Sequence, residues 1–333
     1  MTTRRDAILR GVERAAALHQ KLGLREQLKA GDRPVDVLRA IQDLGLLILF
    51  RPLDGLLGAY LPSAVSPGVI VTTNRPLHVQ RFTAAHELGH HVLQHRAVSL
   101  DRPEDVGFVA RGDVGGHDFQ EVEADAFASE FLLPKWLIVA LARRHQWGAA
   151  ELAKPDIAYQ LSLRLATSYA ATCWALAENG IIERERARRL VDVPPKDAKQ
   201  RALPDVIPES WHLDVWTLTE QDRGTRVLGN PDDRLVLALH EHIANGYTWD
   251  SAAVEHAGLT VERDDRKDGA DEYVGAPVTR RLVVRGPGSG TLRLEERRLW
   301  DPPQSALNTY ELALELLGAE SEGLPRAARA LAA

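Results

Sequence analysis

Histidines stand at positions 86 and 90, with glutamate at 87 between them. On a helix, positions i and i+4 lie one turn apart on the same face, so both imidazoles can reach a single metal ion. Glu87 then sits beside that ion. Zinc brings the pKa of a water it binds down to about 7, and a neighbouring carboxylate can take the proton. The chemistry in view is metal-assisted hydrolysis, with His86 and His90 as ligands and Glu87 as general base.

Such a motif needs a helix to carry it. Pro76 suits a first helical turn, and neither Gly nor Pro interrupts residues 77–85. Val79, Phe82, Ala85, Leu88 and Val92 recur at helical spacing and give the helix a buried side. Two further histidines follow. At about 100° per residue, His95 falls roughly opposite His86, and His91 lies off the ligand face.

Two histidines and a water leave one protein ligand to find. Glycine at 93 and histidine at 96 would mark the metzincin arrangement, but Leu93 and Arg96 stand there. Residues 119–131 read as a second buried helix, with apolar Val122, Ala126, Phe127 and Phe131. Glu121 and Asp125 share one face of it and Glu123 points to the other side. Glu121 is therefore assigned as third ligand, completing a two-His-one-Glu set. Asp125 is assigned as the carboxylate that accepts an N–H from a ligating histidine and fixes its tautomer. His117, in a Gly-rich loop, is the remaining contender for the metal.

The run HELGHHVLQH, followed downstream by EVEADAFASEFLLP, resembles the ImmA/IrrE-type metallopeptidases. The upstream stretch fits too: an Asp36–Ile41 helix, then short strands at Leu46–Phe50, Gly58–Leu61 and Gly68–Thr73. The resemblance covers roughly residues 30–190. It implies a zincin-like domain with a small sheet beside the metal helix, Zn²⁺ as cofactor (or Mn²⁺), and cleavage of a protein substrate. In that family the substrate is typically a helix-turn-helix transcriptional repressor, cut under stress or during induction of mobile elements. Many relatives carry their own N-terminal DNA-binding domain, whereas residues 1–30 here offer one charged amphipathic helix. Tyr60, His117 and Tyr159 are candidates for holding the oxyanion or the substrate.

The composition is consistent with this. A length of 333 residues suggests two domains. The single cysteine, Cys173, excludes an intramolecular disulfide, suits a reducing cytoplasm and reads as a core residue. No apolar run is long enough to cross a bilayer or to form a signal peptide. A net charge of −6 gives no broad electrostatic footprint for nucleic acid. Residues 155–176 read as helix, turn, helix, with Thr167 or Ser168 capping the second. Lys and Arg are sparse there, so packing is favoured over DNA reading.

Pro194, Pro195, Pro204 and Pro208 mark a linker, and beyond it the periodicity changes. Trp211–Thr219, Arg234–His240, Arg280–Val284, Thr291–Glu296 and Thr309–Leu317 have alternating or β-branched character, with Gly, Pro, Asn and Asp between them. Such spacing suggests a β-sandwich.

Gly246-Tyr247-Thr248-Trp249, then residues 273–276 and Arg298-Leu299-Trp300, resemble the chagasin-type inhibitors of papain-like cysteine proteases. The implied fold is an immunoglobulin-like sandwich over roughly residues 210–318, and the implied contacts are three loops at one end. Asn245, Gly246, Tyr247, Gly275, Arg298 and Trp300 match those loops. Ala244-Asn245 stands where the family has a Thr pair, Pro277-Val278 replaces two glycines, and Leu299 replaces a proline. Pro and Val forbid conformations that Gly allows, so the domain reads as a binding module rather than an inhibitor. Trp249 is expected in the core and Trp300 exposed.

The expected protein is α+β. A zincin-like metallopeptidase domain spans 1–195, a linker 196–209, the sandwich 210–318 and a tail 319–333. The expected activity is zinc-dependent, site-specific endopeptidase action on a regulatory protein in the cytoplasm. The sandwich would engage a second protein or peptide partner, with neither membrane nor direct nucleic-acid binding. The alternatives are a non-catalytic metal-containing regulator, or a protease inhibitor acting through the C-terminal domain.

Overall fold

The computed structural model describes residues 3–63, 65–95, 99–101, 119–203, 207–267, 276–298, 300 and 306–332. The chain divides into two units, one of Met1–Asp192 with Ala319–Ala333, the other of Val193–Gly318.

In the first unit, α1 (Arg4–Lys21) opens with a capping box between Thr3 and Asp6 and buries Ala7, Gly11, Ala15 and Leu18. Short α2 (Leu24–Gln27) and α3 (Val37–Asp43), the latter capped by Asp36, lead into β1 (Leu47–Arg51). Strands β2 (Gly58–Leu61) and β3 (Gly68–Thr72) follow, then α4 (Leu77–Leu93), β4 (Ser99–Asp101) and α5 (Phe119–Leu132). The sheet order is β1-β3-β2-β4, with β1 and β3 parallel and β2 antiparallel to both its neighbours.

Helices α1, α4 and α5 form the body against which the site is built. A buried glycine allows the closest approach: a Cβ on Gly11 would lie 2.3 Å from the Glu123 carbonyl of α5. Beyond α5 come α6 (Lys135–Arg144), α7 (Ala149–Leu152), α8 (Pro155–Leu165), α9 (Tyr169–Glu178) and α10 (Arg184–Val191). The pair α8–α9 is the helix-turn-helix read from sequence, and Ser168 caps its second helix by accepting the Ala171 N–H. Its basic residue Arg164 is buried and donates to the Gln160 carbonyl and the His145 ring. That guanidinium is used inside the fold. Cys173 is fully buried, and burial pushes its thiol up to about 12, so it is inert packing.

The second unit begins with α11 (Pro195–Ala202), where the prolines suggest a linker. Pro195 occupies the first helical turn, the position at which a missing N–H costs nothing. The strands are β5 (Val215–Leu218), β6 (Thr225–Leu228), β7 (Arg234–Glu241) and β8 (Thr248–Trp249). After α12 (Ala252–His256) come β9 (Thr260–Lys267), β10 (Val278–Arg285), β11 (Ser289–Arg297) and β12 (Asn308–Glu315).

They make a sandwich of two four-stranded sheets, β5-β7-β10-β9 and β6-β12-β11-β8. Leu235, Leu237, Leu282, Val284, Leu292, Leu294, Tyr310, Leu312 and Leu314 are buried, as alternation along the strands requires. β7 is buried on its other face as well, because Val236 packs with Val215, Val283 and Leu203, the residue after α11. The charged strand β9 escapes a hydrophobic reading because it lies at a sheet edge.

Residues 319–333, expected as a tail, belong to the first unit instead. Phe50 of β1 and Gly323 exchange both backbone hydrogen bonds, at 2.8 and 2.9 Å. Buried Gln80 of α4 accepts the Glu320 N–H and donates to the Glu320 carbonyl. The segment ends in α13 (Arg326–Ala332). Backbone pairing of this kind leaves no hydrophobic period to read.

Candidate metal centre

His86, Glu87 and His90 lie on the inner side of α4, with exposures of 0, 0 and 1%. His86 Nε2 and His90 Nε2 stand 3.0 Å apart. Glu121 of α5 brings one carboxylate oxygen 3.1 Å from His86 Nε2 and the other 3.6 Å from His90 Nε2. These three side chains offer one ligand atom each, all within 4.8 Å of one another. Burial alone would raise the Glu121 carboxyl, but the His86 and His90 rings hold it well below the usual carboxylate range. It is an anion facing two imidazoles.

The opposite nitrogens of the rings are already engaged. His86 Nδ1 lies 3.0 Å from Asp125 Oδ1. His90 Nδ1 lies 2.8 Å from His95 Nδ1. Each imidazole is thus held from behind, and its Nε2 is the atom turned toward Glu121. Two imidazoles and a carboxylate that converge through the ring Nε2 atoms fit zinc, and the donor set also suits manganese.

His95 departs from the helical wheel, for a local reason. α4 ends at Leu93, and Gln94 adopts the left-handed conformation at φ 62° and ψ 37°. The His95 N–H then bonds the His90 carbonyl at 2.9 Å, folding the chain back beneath the helix end. His95 is buried, not set opposite His86 across a longer helix. Burial lowers its pKa, with the Glu123 contact opposing. Glu123 faces away from the three ligand-type atoms, as its helix position implies, and lies 2.9 Å from His95 Nε2.

Glu87 packs against β2. A Cβ on Gly58 would stand 2.9 Å from Glu87 Oε1 and 2.5 Å from the Thr83 methyl. Gly58→Ala is therefore expected to cost about 1–3 kcal/mol of stability by overpacking. It should also displace the carboxylate while leaving metal content unchanged. Urea unfolding, metal analysis and turnover on one preparation check this, and unaltered turnover would refute it.

Among the oxyanion candidates, Tyr60 is buried on β2, its hydroxyl 3.1 Å from His91 Nδ1. Burial raises the Tyr60 pKa, and burial with the Lys21 charge lowers that of His91. Tyr159 is buried within α8. His117 lies outside the described residues.

In the second unit, two of the expected stretches meet at one end of the sandwich. Arg298 donates to the Asn245 carbonyl at 2.9 Å and stacks on Tyr247 at 4.6 Å from its ring centre. Gly246, at φ +78°, lies against the Trp300 ring, which is 72% exposed. Trp249 is buried, its indole N–H donating to the His240 carbonyl at 2.8 Å. Gly275 lies outside the described residues. Ala244 and Asn245 belong to a 3-10 turn, and Val278 is already paired with Glu241 in the sheet.

Residues 41–177 match the family model of the IrrE N-terminal-like domain of M78 peptidases. Residues 230–314 match that of the chagasin family peptidase inhibitors I42. The solved structure of the cysteine protease inhibitor EhICP2 from Entamoeba histolytica is 18% identical, the likeness covering 32% of this chain and 99% of that one at a TM-score of 0.28. The solution structure of Amebosin is 20% identical over 31% of this chain and 96% of that one, at a TM-score of 0.24. No curated protein matches the chain. The family matches suggest a metallopeptidase-type domain and an inhibitor-type domain, and hence protein substrates or partners in general.

Proposed function

We propose that a chain matching a metallopeptidase-type domain and an inhibitor-type domain is a zinc-dependent, site-specific endopeptidase. The observation that carries the reading is the convergence of His86, His90 and Glu121 beside the buried Glu87. Zinc (or manganese) held by those three side chains would supply Lewis-acid polarisation of the attacking water and of the scissile carbonyl. Glu87 takes the proton from that water at a carboxylate oxygen as the new C–O bond forms. It then delivers the proton to the amine nitrogen as the C–N bond breaks. Asp125 holds His86 in the tautomer whose Nε2 lone pair faces inward.

The substrate is a regulatory protein, a helix-turn-helix transcriptional repressor cut in the cytoplasm during stress or mobile-element induction. Resemblance to the ImmA/IrrE-type peptidases supports that choice. Among the described residues no helix is long and apolar enough to cross a membrane. The test compares protein N-termini in cells expressing wild type or Glu87→Gln, with and without DNA damage. New termini seen only with wild type, concentrated in one DNA-binding regulator, would establish the activity and name its target. Identical profiles from metal-loaded protein would leave a non-catalytic regulator.

The sandwich serves as a binding module, presenting Trp300, Tyr247 and Arg298 to a protein or peptide. Inhibition of cysteine proteases is the second reading, favoured by the meeting of these loop residues. The 3-10 turn at Ala244–Asn245 and the sheet pairing of Val278 stiffen places where inhibitory loops need close backbone approach. Papain is therefore expected to keep its activity in a large molar excess of the full chain. Stoichiometric inhibition, lost in Trp300→Ala, would establish the inhibitor instead.

A further inference from the structure

Behind His90 runs a chain of polar contacts that leaves the metal helix altogether. His90 Nδ1 meets His95 Nδ1 at 2.8 Å, and His95 Nε2 meets Glu123 Oε2 at 2.9 Å. Glu123 Oε1 accepts from Arg10 Nη1 of α1 at 3.2 Å. His90, His95 and Glu123 are all buried, whereas Arg10 is half exposed. With both imidazoles neutral and Glu123 a carboxylate, one polarity satisfies every link, and it is the one that suits metal binding. If Nε2 of His90 offers its lone pair inward, Nδ1 must carry the proton and donate to His95 Nδ1. His95 then carries its own proton on Nε2 and donates it to Glu123. A carboxylate at the far end fixes both tautomers.

We propose that His95, Glu123 and Arg10 are positioning residues that set the tautomer and orientation of His90 through a bridging imidazole. The two ligand histidines would then be anchored differently, His86 directly to Asp125 and His90 through His95 to Glu123. The bridge spans the gap between the end of α4 and the side of α5 that faces α1. It also brings α1, which lies outside the matched residues 41–177, into the support of the centre. The proposal rests on the metal reading above.

The decisive measurement uses zinc-loaded full-length protein labelled with ¹⁵N-histidine. A scalar coupling across the N–H···N bond between His90 Nδ1 and His95 Nδ1 is expected, with His95 protonated on Nε2. Absence of the coupling, or a His95 proton on Nδ1, overturns the relay without any variant having to fold. Chelator competition gives the functional size. His95→Ala should lower zinc affinity about 10–100-fold, the range for groups that orient metal ligands.

Glu123→Ala added to His95→Ala should cost little more, because the two act in one chain. His95→Gln should recover much of the loss, since its amide can accept from His90 and donate to Glu123. Wild-type affinity in His95→Ala overturns the relay alone. A wild-type protein that takes up neither zinc nor manganese overturns the metal reading and the relay with it.

Discussion

Replacing Glu87 by glutamine is expected to lower peptide-bond hydrolysis by a factor of about 10²–10⁴, the usual contribution of a positioned general base. Glutamine keeps the volume of the side chain at a site with no exposed surface, so the packing against Gly58 survives. What it loses is the ability to take a proton. The three ligand-type side chains are untouched, and metal content and thermal midpoint should stay close to wild type. Single-turnover cleavage of the target, read beside metal analysis of the same sample, makes the comparison. Full proteolysis by Glu87→Gln would remove the general-base mechanism.

Removal of Glu121 should act on a different quantity. Its carboxylate bridges the two Nε2 atoms at 3.1 and 3.6 Å, and it is the one anionic member of the ligand group. Glu121→Ala leaves only the two imidazoles, whose Nε2 atoms stand 3.0 Å apart. Such a pair holds a divalent ion far more weakly than a two-His-one-carboxylate set. After dialysis against a chelator that leaves Glu123→Ala largely loaded, Glu121→Ala should be metal-free. Glu123 works through His95, and its loss should stay near the 10–100-fold typical of supporting groups. Equal metal loss in the two variants would contradict the division of labour on α5.

The parts of this architecture that sequence reveals are those with a repeating physical signature. Helix α4 shows itself because its apolar residues and the spacing of His86 and His90 share the helical period. Glu121 and Asp125 follow from the same geometry on a second helix. His95 does not, because the wheel holds only while the helix lasts, and Gln94 ends it in a left-handed turn that sequence does not announce. β9 is hidden by its charges, which suit an edge. α11 is hidden by prolines that mark a linker and a helix start equally well. β6 and β8 are too short to show a period of two.

The return of the last residues to the first unit also has a consequence in time. Gln80 of α4 and its buried partner Glu320 are separated by 240 positions. At a synthesis rate of about 5–20 residues/s, roughly 10–50 s pass between their appearances on the ribosome. Throughout that interval the outer edge of β1 at Phe50 lacks the backbone partner supplied by Gly323, and the Gln80 amide lacks Glu320. The whole sandwich is made in between. The unit that holds the metal-type side chains is therefore begun first and finished last.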